Sequence, residues 1–262
     1  MPTAQTSKKA NDRTEPESVE WLIGAYRPVS LFSLRMTHAT SKGGKTLLTP
    51  TPYSIKMALL DACFRKFPAE SALASARQVF AWLTQRQVCI RPPKHCVVNN
   101  TFVRVLDWDR EEETGPFRRT IAYREFVWFG GDEMRVAVLV SGMAEQDSSL
   151  LAELFAHITS FGKRGSLWQF AGVGRLSGEL PFGYTVPRDQ TSFKQKASYA
   201  LTQSMDDFGA ALAVGDGFDR VSTYGSGTLR LGEHRVLTAT AVPYQRRSAS
   251  RHFTWYERVD EP

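Results

Sequence analysis

The succession of helical and strand periodicities along residues 29–160 constrains the fold of this chain more than any other feature. Apolar residues recur at three- and four-residue intervals in 53–66 and in 71–84, which predicts two amphipathic helices. Thr51 and Pro52 are typical of a helix N-cap and first helical position. A third helix is predicted over 148–160, where Ser148 is a suitable cap.

Strand-forming segments lie between and before these helices. Four of them are rich in Val, Phe, Trp or alternating apolar residues, which favours β structure. They are 29–39, 96–108, 120–129 and 133–142. Helices that alternate with hairpin-connected strands are typical of an α+β fold in which the helices cover one face of an antiparallel sheet. We expect a ferredoxin-like (RRM-like) arrangement.

Composition changes divide the chain into three parts. Residues 1–18 are polar and are predicted to be a disordered N-terminal tail. Residues 19–180 contain the predicted ferredoxin-like domain, and 181–262 consist mostly of short strand-like segments that predict a β-rich C-terminal lobe. At 262 residues the chain is long enough to bury a substantial core.

Several classes of protein are excluded by composition. The 42% hydrophobic content excludes a mainly disordered chain, and no apolar run approaches the roughly 18 residues of a membrane span. The cysteines Cys63, Cys89 and Cys96 are too few and too widely spaced for a disulfide framework or a Cys-x-x-Cys zinc site. The N-terminus lacks the apolar core of a secretory signal. We therefore expect a cytoplasmic protein with no membrane partner.

Positive charge is concentrated in two segments. Lys and Arg number 33 against 27 Asp and Glu, a net charge of +6, and the excess falls mainly in 27–66 and 160–200. Such segments attract a polyanion if the fold brings them together. The alternative is that they are separate solvated faces.

Two glycine-rich loops carry part of this charge. The string 43–46, Gly-Gly-Lys-Thr, lacks the first glycine and the following helix of a P-loop. The loop 161–166 is a better anion site: glycine backbone, the Lys163 charge, the Arg164 fork and the Ser166 hydroxyl together suit phosphate. The alternative for this loop is a helix C-terminus whose basic residues favour the helix dipole.

Aromatic residues stand among the basic ones in two places. One is the segment with Arg118, Arg119, Tyr123 and Arg124; the other is 244–253. Aromatic rings that stack on bases, beside cations that bind phosphates, are typical of single-stranded nucleic-acid binding. The alternative is that these residues simply alternate between the core face and the solvent face of a strand.

Catalytic residues are hard to assemble from this sequence. The five histidines lack metal-ligand spacing, and no Gly-x-Ser-x-Gly motif occurs, so no metal or cofactor is expected. Metal-free RNA cleavage needs a general acid and base, for which His38 and then His95 are the candidates. We expect binding rather than catalysis.

The order of short motifs resembles the Cas five family, a RAMP-superfamily subunit of type I CRISPR Cascade complexes. The resemblance spans about residues 29–170. It rests on the following segments: Pro50–Ile55 at a helix start, Val98–Asn100, Tyr123–Phe126 in a strand and Phe161–Ser166 after a helix.

This resemblance implies a RAMP domain with a protruding β-hairpin thumb near 97–125 and a small C-terminal part. It implies a non-catalytic subunit that caps the 5′ handle of crRNA and contacts the backbone subunit, the large PAM-reading subunit and, within the complex, target DNA. The alternative functions are a metal-independent endoribonuclease that processes precursor crRNA and a protein-interaction module with incidental charge. The expected RNA contacts are Lys45, Tyr53, Arg104, Arg118, Arg119, Tyr123, Arg124, Lys163, Arg164 and Ser166.

Overall fold

The computed structural model describes residues 19–39, 43–108 and 117–261, and for 107–108 and 117–120 only the backbone. The predicted tail at 1–18 lies outside the described residues. The helices are α1 (Pro52–Lys66), α2 (Ala69–Leu83), α3 (Glu145–Phe155), α4 (Phe193–Ser198) and α5 (Gly217–Val221). The strands are β1 (Glu20–Pro28), β2 (Gly43–Gly44), β3 (Val88–Arg91), β4 (His95–Trp108), β5 (Phe117–Gly130), β6 (Met134–Leu139), β7 (Trp168–Ser177), β8 (Val186–Pro187), β9 (Leu201–Phe208), β10 (Arg235–Val242), β11 (Tyr244–Ala249) and β12 (Phe253–Arg258).

The first sheet is four-stranded and antiparallel, in the order β3-β6-β1-β7. The chain passes from β1 to β3 through α1 and α2, and from β6 to β7 through α3. A Cβ on Gly24 in β1 would lie 2.5 Å from the Phe155 ring, so glycine there permits the close approach of α3. The Tyr26 hydroxyl donates to the Phe155 carbonyl at 2.8 Å, which fixes this helix on the sheet.

The first strand lies earlier in the chain than the sequence predicted. Residues 20–28 form it, whereas 29–39 contribute only the isolated bridges of Phe32 with Val127 and of Arg35 with Thr46. Trp21 and Leu22 are both buried, on opposite faces of the sheet, so β1 lacks the apolar–polar alternation that identifies a half-exposed strand.

Strand β7 was not predicted from the sequence, because its glycines are uncommon in strands. It lies at the edge of the sheet, where its side chains are mostly exposed and glycines are tolerated. One further prediction needs correction. Helix α3 begins at Glu145 rather than at the predicted cap Ser148, which is buried within the helix. Glu145 and Asp147 in the first turn complement the helix dipole and replace a side-chain cap.

The second sheet has five strands in the order β11-β12-β4-β5-β2. Its centre is a hairpin of two 14-residue strands, with pairs running from His95–Gly130 to Trp108–Phe117. Near its base, Val98 and Val127 face the core. Farther along, the same face becomes solvent-exposed, so the hairpin extends beyond the core. Its connecting residues, 109–116, lie outside the described part of the chain.

The C-terminal segments pack against the first half of the chain. Strand β12 pairs with β4, and β9 of the three-stranded sheet β8-β10-β9 lies against α1. Met205 and Phe208 of β9 belong to the same hydrophobic core as α1. Residues on both sides of position 180 thus share a sheet and a core, and the proposed domain boundary stays a prediction. None of the helices in the described ranges has the length and apolar character needed to cross a bilayer.

Candidate nucleic-acid interface

The start of α1 is fixed by local hydrogen bonds that the sequence predicted. The Thr51 hydroxyl accepts from the Ser54 backbone N–H at 3.1 Å, and the Ser54 hydroxyl accepts from the Thr51 N–H at 2.9 Å. Pro52 occupies the first turn. This reciprocal cap confirms Thr51 as the N-cap and sets the direction in which Tyr53 leaves the helix.

Tyr53 lines a cleft of about 710 Å³ between α1, the loop 159–167 and β9–β10. The Arg235 guanidinium lies 4.6 Å from the centre of the Tyr53 ring, and Asp206 holds Arg235 by an ion pair. Burial raises the pKa of the Tyr53 phenol; Arg235 opposes this rise and Asp206 adds to it. Tyr53 is therefore a neutral, positioned ring at ordinary pH, suited to stacking rather than to proton transfer.

The loop 160–166 forms the opposite wall of the cleft. Gly162 has a φ of +73°, and a Cβ there would lie 2.9 Å from a Leu34 methyl, so a side chain at this position would be strained and crowded. The Ser166 N–H donates to the Lys163 carbonyl at 2.9 Å, which closes a turn. Lys163 and Arg164 stand on this turn and are exposed.

Ser166 supports this loop from inside. It is buried, and its hydroxyl accepts from the Ser33 N–H at 3.1 Å. Ser30 adds two bonds, donating to the Gly165 carbonyl at 2.6 Å and accepting from the Leu167 N–H at 2.7 Å. Ser166, predicted as a phosphate contact, thus holds the loop in place rather than standing at its surface.

Lys163 and Arg164 have no ion pair or hydrogen-bonded side-chain partner among the residues that the structure describes. Most other arginines of the described ranges are paired; Arg258, for example, bonds Asp132 and Asp260. A positioned but uncompensated pair of cations is suited to an external anion.

The strip 30–36 connects this loop to the second basic loop, 43–46. The Ser33 hydroxyl donates to the Glu125 carbonyl at 3.1 Å, and the Glu125 carboxylate accepts from the Thr46 N–H at 2.8 Å. Ser33 therefore bonds Ser166 on one side and β5 on the other. The two loops that the sequence singled out for their charge are therefore joined by hydrogen bonds through Ser33 and Glu125.

Lys45, Tyr123 and Arg124 meet where β2 pairs in parallel with β5. Gly44 lies opposite Arg124, and a Cβ on Gly44 would come within 2.9 Å of the Arg124 Cδ. The Tyr123 hydroxyl donates to Glu125 at 2.9 Å, and burial together with Glu125 raises the pKa of Tyr123 to about 12. Lys45, which follows Gly44 in the chain, is exposed.

The outer half of the β4–β5 hairpin continues this face with apolar and basic residues. Phe102, Leu106 and Ile121 are 72%, 68% and 66% exposed, and Arg104 pairs with Ile121 across the two strands. Phe102 contacts Tyr123 edge-on, with ring centres 5.7 Å apart. The predicted contacts Arg118 and Arg119 lie in β5, but their side chains fall outside the described part of the structure.

The two candidate catalytic histidines lie on different surfaces. His38 is exposed in the segment that precedes β2. His95 lies at the start of β4 with its ring 5.9 Å from Trp255, on the face of the second sheet that points away from the core. In the described ranges no cluster of three or more His, Cys, Asp or Glu residues is arranged to hold a metal ion.

Several charged residues of the cleft were not predicted from the sequence. Arg65 donates to the His157 carbonyl at 3.1 Å and pairs with Asp61 one turn earlier in α1. The i, i+4 spacing of Asp61 and Arg65 was a usable signal for that pair. Arg235 and Asp206 carry no such signal, because only the packing of β9 and β10 on α1 brings them to Tyr53.

Comparisons with known proteins add little to this geometry. No protein-family model and no curated protein matches the chain. Among solved structures, a CRISPR protein from Archaeoglobus fulgidus is similar, with 12% identical residues, 92% of each chain covered and a TM-score of 0.44. Similarity at this level assigns neither an activity nor a ligand to the present chain.

Proposed function

We propose that this chain is a non-catalytic subunit of a type I CRISPR Cascade complex that binds the 5′ handle of crRNA. The observation that carries the RNA-binding part is the joining of the two basic loops, 43–46 and 160–166, through the Ser33 hydrogen bonds to Ser166 and Glu125. Charge alone left open whether these segments converge. On this proposal the cations of both loops face one strand, since uncompensated cations beside aromatic rings suit a single-stranded RNA.

The strand order supports the RAMP part of the proposal. In chain order, the strands of the first sheet follow the pattern strand–helices–strand–strand–helix–strand, and they lie in the order second, third, first, fourth. This order is the one expected of the ferredoxin-like domain that we propose. On this proposal the β4–β5 hairpin is the thumb, and the handle passes between its base and the loop 160–166.

The partners follow from the same proposal. The exposed apolar residues of the hairpin, Phe102, Leu106 and Ile121, would face a neighbouring backbone or large subunit, since apolar side chains at this density are costly in water. Target DNA would meet the chain only within the assembled complex. The endoribonuclease alternative, with His38 or His95, stays a prediction that incubation of precursor RNA with the protein in EDTA tests.

The RNA surface is tested by removing charge from the loop. Lys163→Ala with Arg164→Ala should weaken binding of a single-stranded RNA of about 20 nucleotides and lower the slope of log affinity against log salt by about 0.7 for each lost phosphate contact. Lys194→Ala with Lys196→Ala is the matched control, because both lysines are exposed and belong to α4 rather than to the loop. Equal slopes for the two variants would contradict the assignment.

The crRNA part has its own test. RNA that co-purifies with the protein from cells that carry a CRISPR array should share one constant 5′ sequence. A heterogeneous RNA population would contradict the handle assignment while leaving general RNA binding intact.

A further inference from the structure

The outward face of the second sheet carries a group of aromatic residues that the proposed function does not use. Trp255 of β12 lies opposite Val97 of β4, and Val97 lies opposite Trp128 of β5. The three residues therefore stand in a row across neighbouring strands, with the backbones of the two tryptophans about 10 Å apart. Phe253 and His95 complete a shallow apolar groove of about 320 Å³. We call these five residues the aromatic platform.

The outer end of the Trp128 indole lies over Gly130. A Cβ built on Gly130 would lie 2.3 Å from the Trp128 ring, so the indole covers the Gly130 backbone in the space that a side chain would occupy. Trp128 is 51% exposed, which leaves the other side of the ring open to solvent. An indole held against backbone in this way loses little conformational freedom when a planar ligand stacks on it.

Two arginines flank the platform in sequence. Arg247 and Arg251 are exposed in β11 and in the turn before Phe253, where His252 is exposed as well. Glu257 brings a carboxylate to this face, and Arg247 pairs with it at 2.8 Å. Cations beside open aromatic rings complement a polyanion with unstacked planar groups, whereas a protein partner with an apolar contact surface gains nothing from the arginines.

The platform lies on the face of the second sheet opposite Tyr123 and Glu125. Val98 and Val127 point to the core, and Glu125 continues that face toward the basic loops. Val97 and Trp128 are their neighbours in β4 and β5, and successive side chains in a strand point to opposite faces. Of the predicted RNA contacts in β5, Tyr123 is therefore on the other face, whereas Arg124 alternates onto the face of Trp128.

We propose that the aromatic platform binds a single-stranded nucleic acid, with bases stacked on Trp128 and Trp255 and phosphates near Arg247 and Arg251. This site shares no residue with the loop 160–166 and does not depend on it. A duplex is excluded as the occupant, because its bases are already stacked on one another and cannot reach flat rings on a sheet.

The test uses the Lys163→Ala, Arg164→Ala variant as background, so that binding at the basic loop is already weakened. Single-stranded oligouridylate and oligothymidylate of about 15 nucleotides are titrated while tryptophan fluorescence and anisotropy are followed. Adding Trp128→Ala or Trp255→Ala should weaken the residual affinity by roughly 5- to 150-fold, the range for loss of one stacked base. Phe193→Ala, which removes an 86% exposed ring on α4, should leave the affinity unchanged.

A second variant keeps the indole and changes its position. Gly130→Ala places a methyl group where the Trp128 ring lies and should also weaken binding, with thermal unfolding as the check that the fold persists. Residual affinity that is the same with and without the two tryptophans would overturn the proposal. So would equal affinity for a duplex, or a protein partner whose binding falls in the tryptophan variants while nucleic-acid binding does not. None of these results would bear on the handle-binding loop.

Discussion

A buried ion pair joins Lys56 of α1 to Asp207 of β9, and breaking it should lower the stability of the protein markedly. The two charged atoms are 2.7 Å apart, and the Lys56 side chain is only 2% exposed while Asp207 is 30% exposed. Burial lowers the pKa of Lys56, and Asp207 opposes that shift. Asp207→Asn would therefore leave a buried ammonium group without its counter-charge.

The expected decrease in the free energy of unfolding is at the lower end of the range for buried ion pairs. Removing one partner of a fully buried pair costs about 3–5 kcal/mol, and the partial exposure of Asp207 places this case near 3 kcal/mol. For a chain of this size that corresponds to a fall in the melting temperature of about 6–12 °C. Thermal unfolding by circular dichroism at pH 7 measures it. Lys56→Met with Asp207→Asn, which removes both charges, should lie within about 1 kcal/mol of the wild type or be more stable.

The pH dependence gives an independent check of the cause. Without Asp207 the folded-state pKa of Lys56 falls further below its unfolded value, so the stability associated with this group is present at high pH and lost as the pH falls through the folded pKa. The difference in unfolding free energy between the wild type and Asp207→Asn should therefore become smaller between pH 7 and about pH 9.5. A loss of unfolding free energy that is constant with pH would contradict a buried, uncompensated Lys56 charge as its cause. An equal loss in the single and double variants would contradict it as well.

Three other outcomes are expected. Ser166→Ala removes the acceptor of the Ser33 N–H and should lower the free energy of unfolding in urea by about 1–2 kcal/mol. It should also weaken RNA binding, because the loop that carries the cations loses its support. Unchanged RNA affinity would argue against that support. Gly24→Ala places a methyl group against the Phe155 ring and should destabilise the protein by about 1–3 kcal/mol in the same assay. Burial raises the pKa of all three cysteine thiols, so none should react with a thiol reagent at pH 8 until denaturant is added; rapid native-state reaction would contradict their burial.

The parts of the fold that depend on local signals could be predicted from the sequence. Helix α1 follows from its apolar spacing and from Thr51 and Pro52, and β4 and β5 follow from their residue types. Strand β1 could not be found in this way, because Trp21 and Leu22 are buried on opposite faces and hide its period. Its neighbour 29–39 alternates clearly, yet it serves as a connecting strip that makes isolated bridges.

The candidate site likewise contains some residues that local signals predict and others that only the folded structure brings together. Lys163, Arg164 and Lys45 were identified by charge and glycine content, and they are exposed as such residues must be to bind an anion. Ser166 belongs to the same motif but turns inward to Ser33, which motif composition does not reveal. Arg235 comes to Tyr53 only through the packing of β10, about 180 residues farther along the chain, so no local pattern predicts it.

Cross-linking tests most directly whether the two basic loops hold one RNA. The protein is irradiated with a bound 4-thiouridine-substituted single-stranded RNA, and the linked peptides are identified by mass spectrometry. We expect peptides containing 43–46 and peptides containing 160–166 both to be linked. Lys163→Ala with Arg164→Ala should reduce both links together, since both loops contact the same strand. Links confined to one loop, or a loss at one loop without loss at the other, would contradict the binding of one strand by both loops.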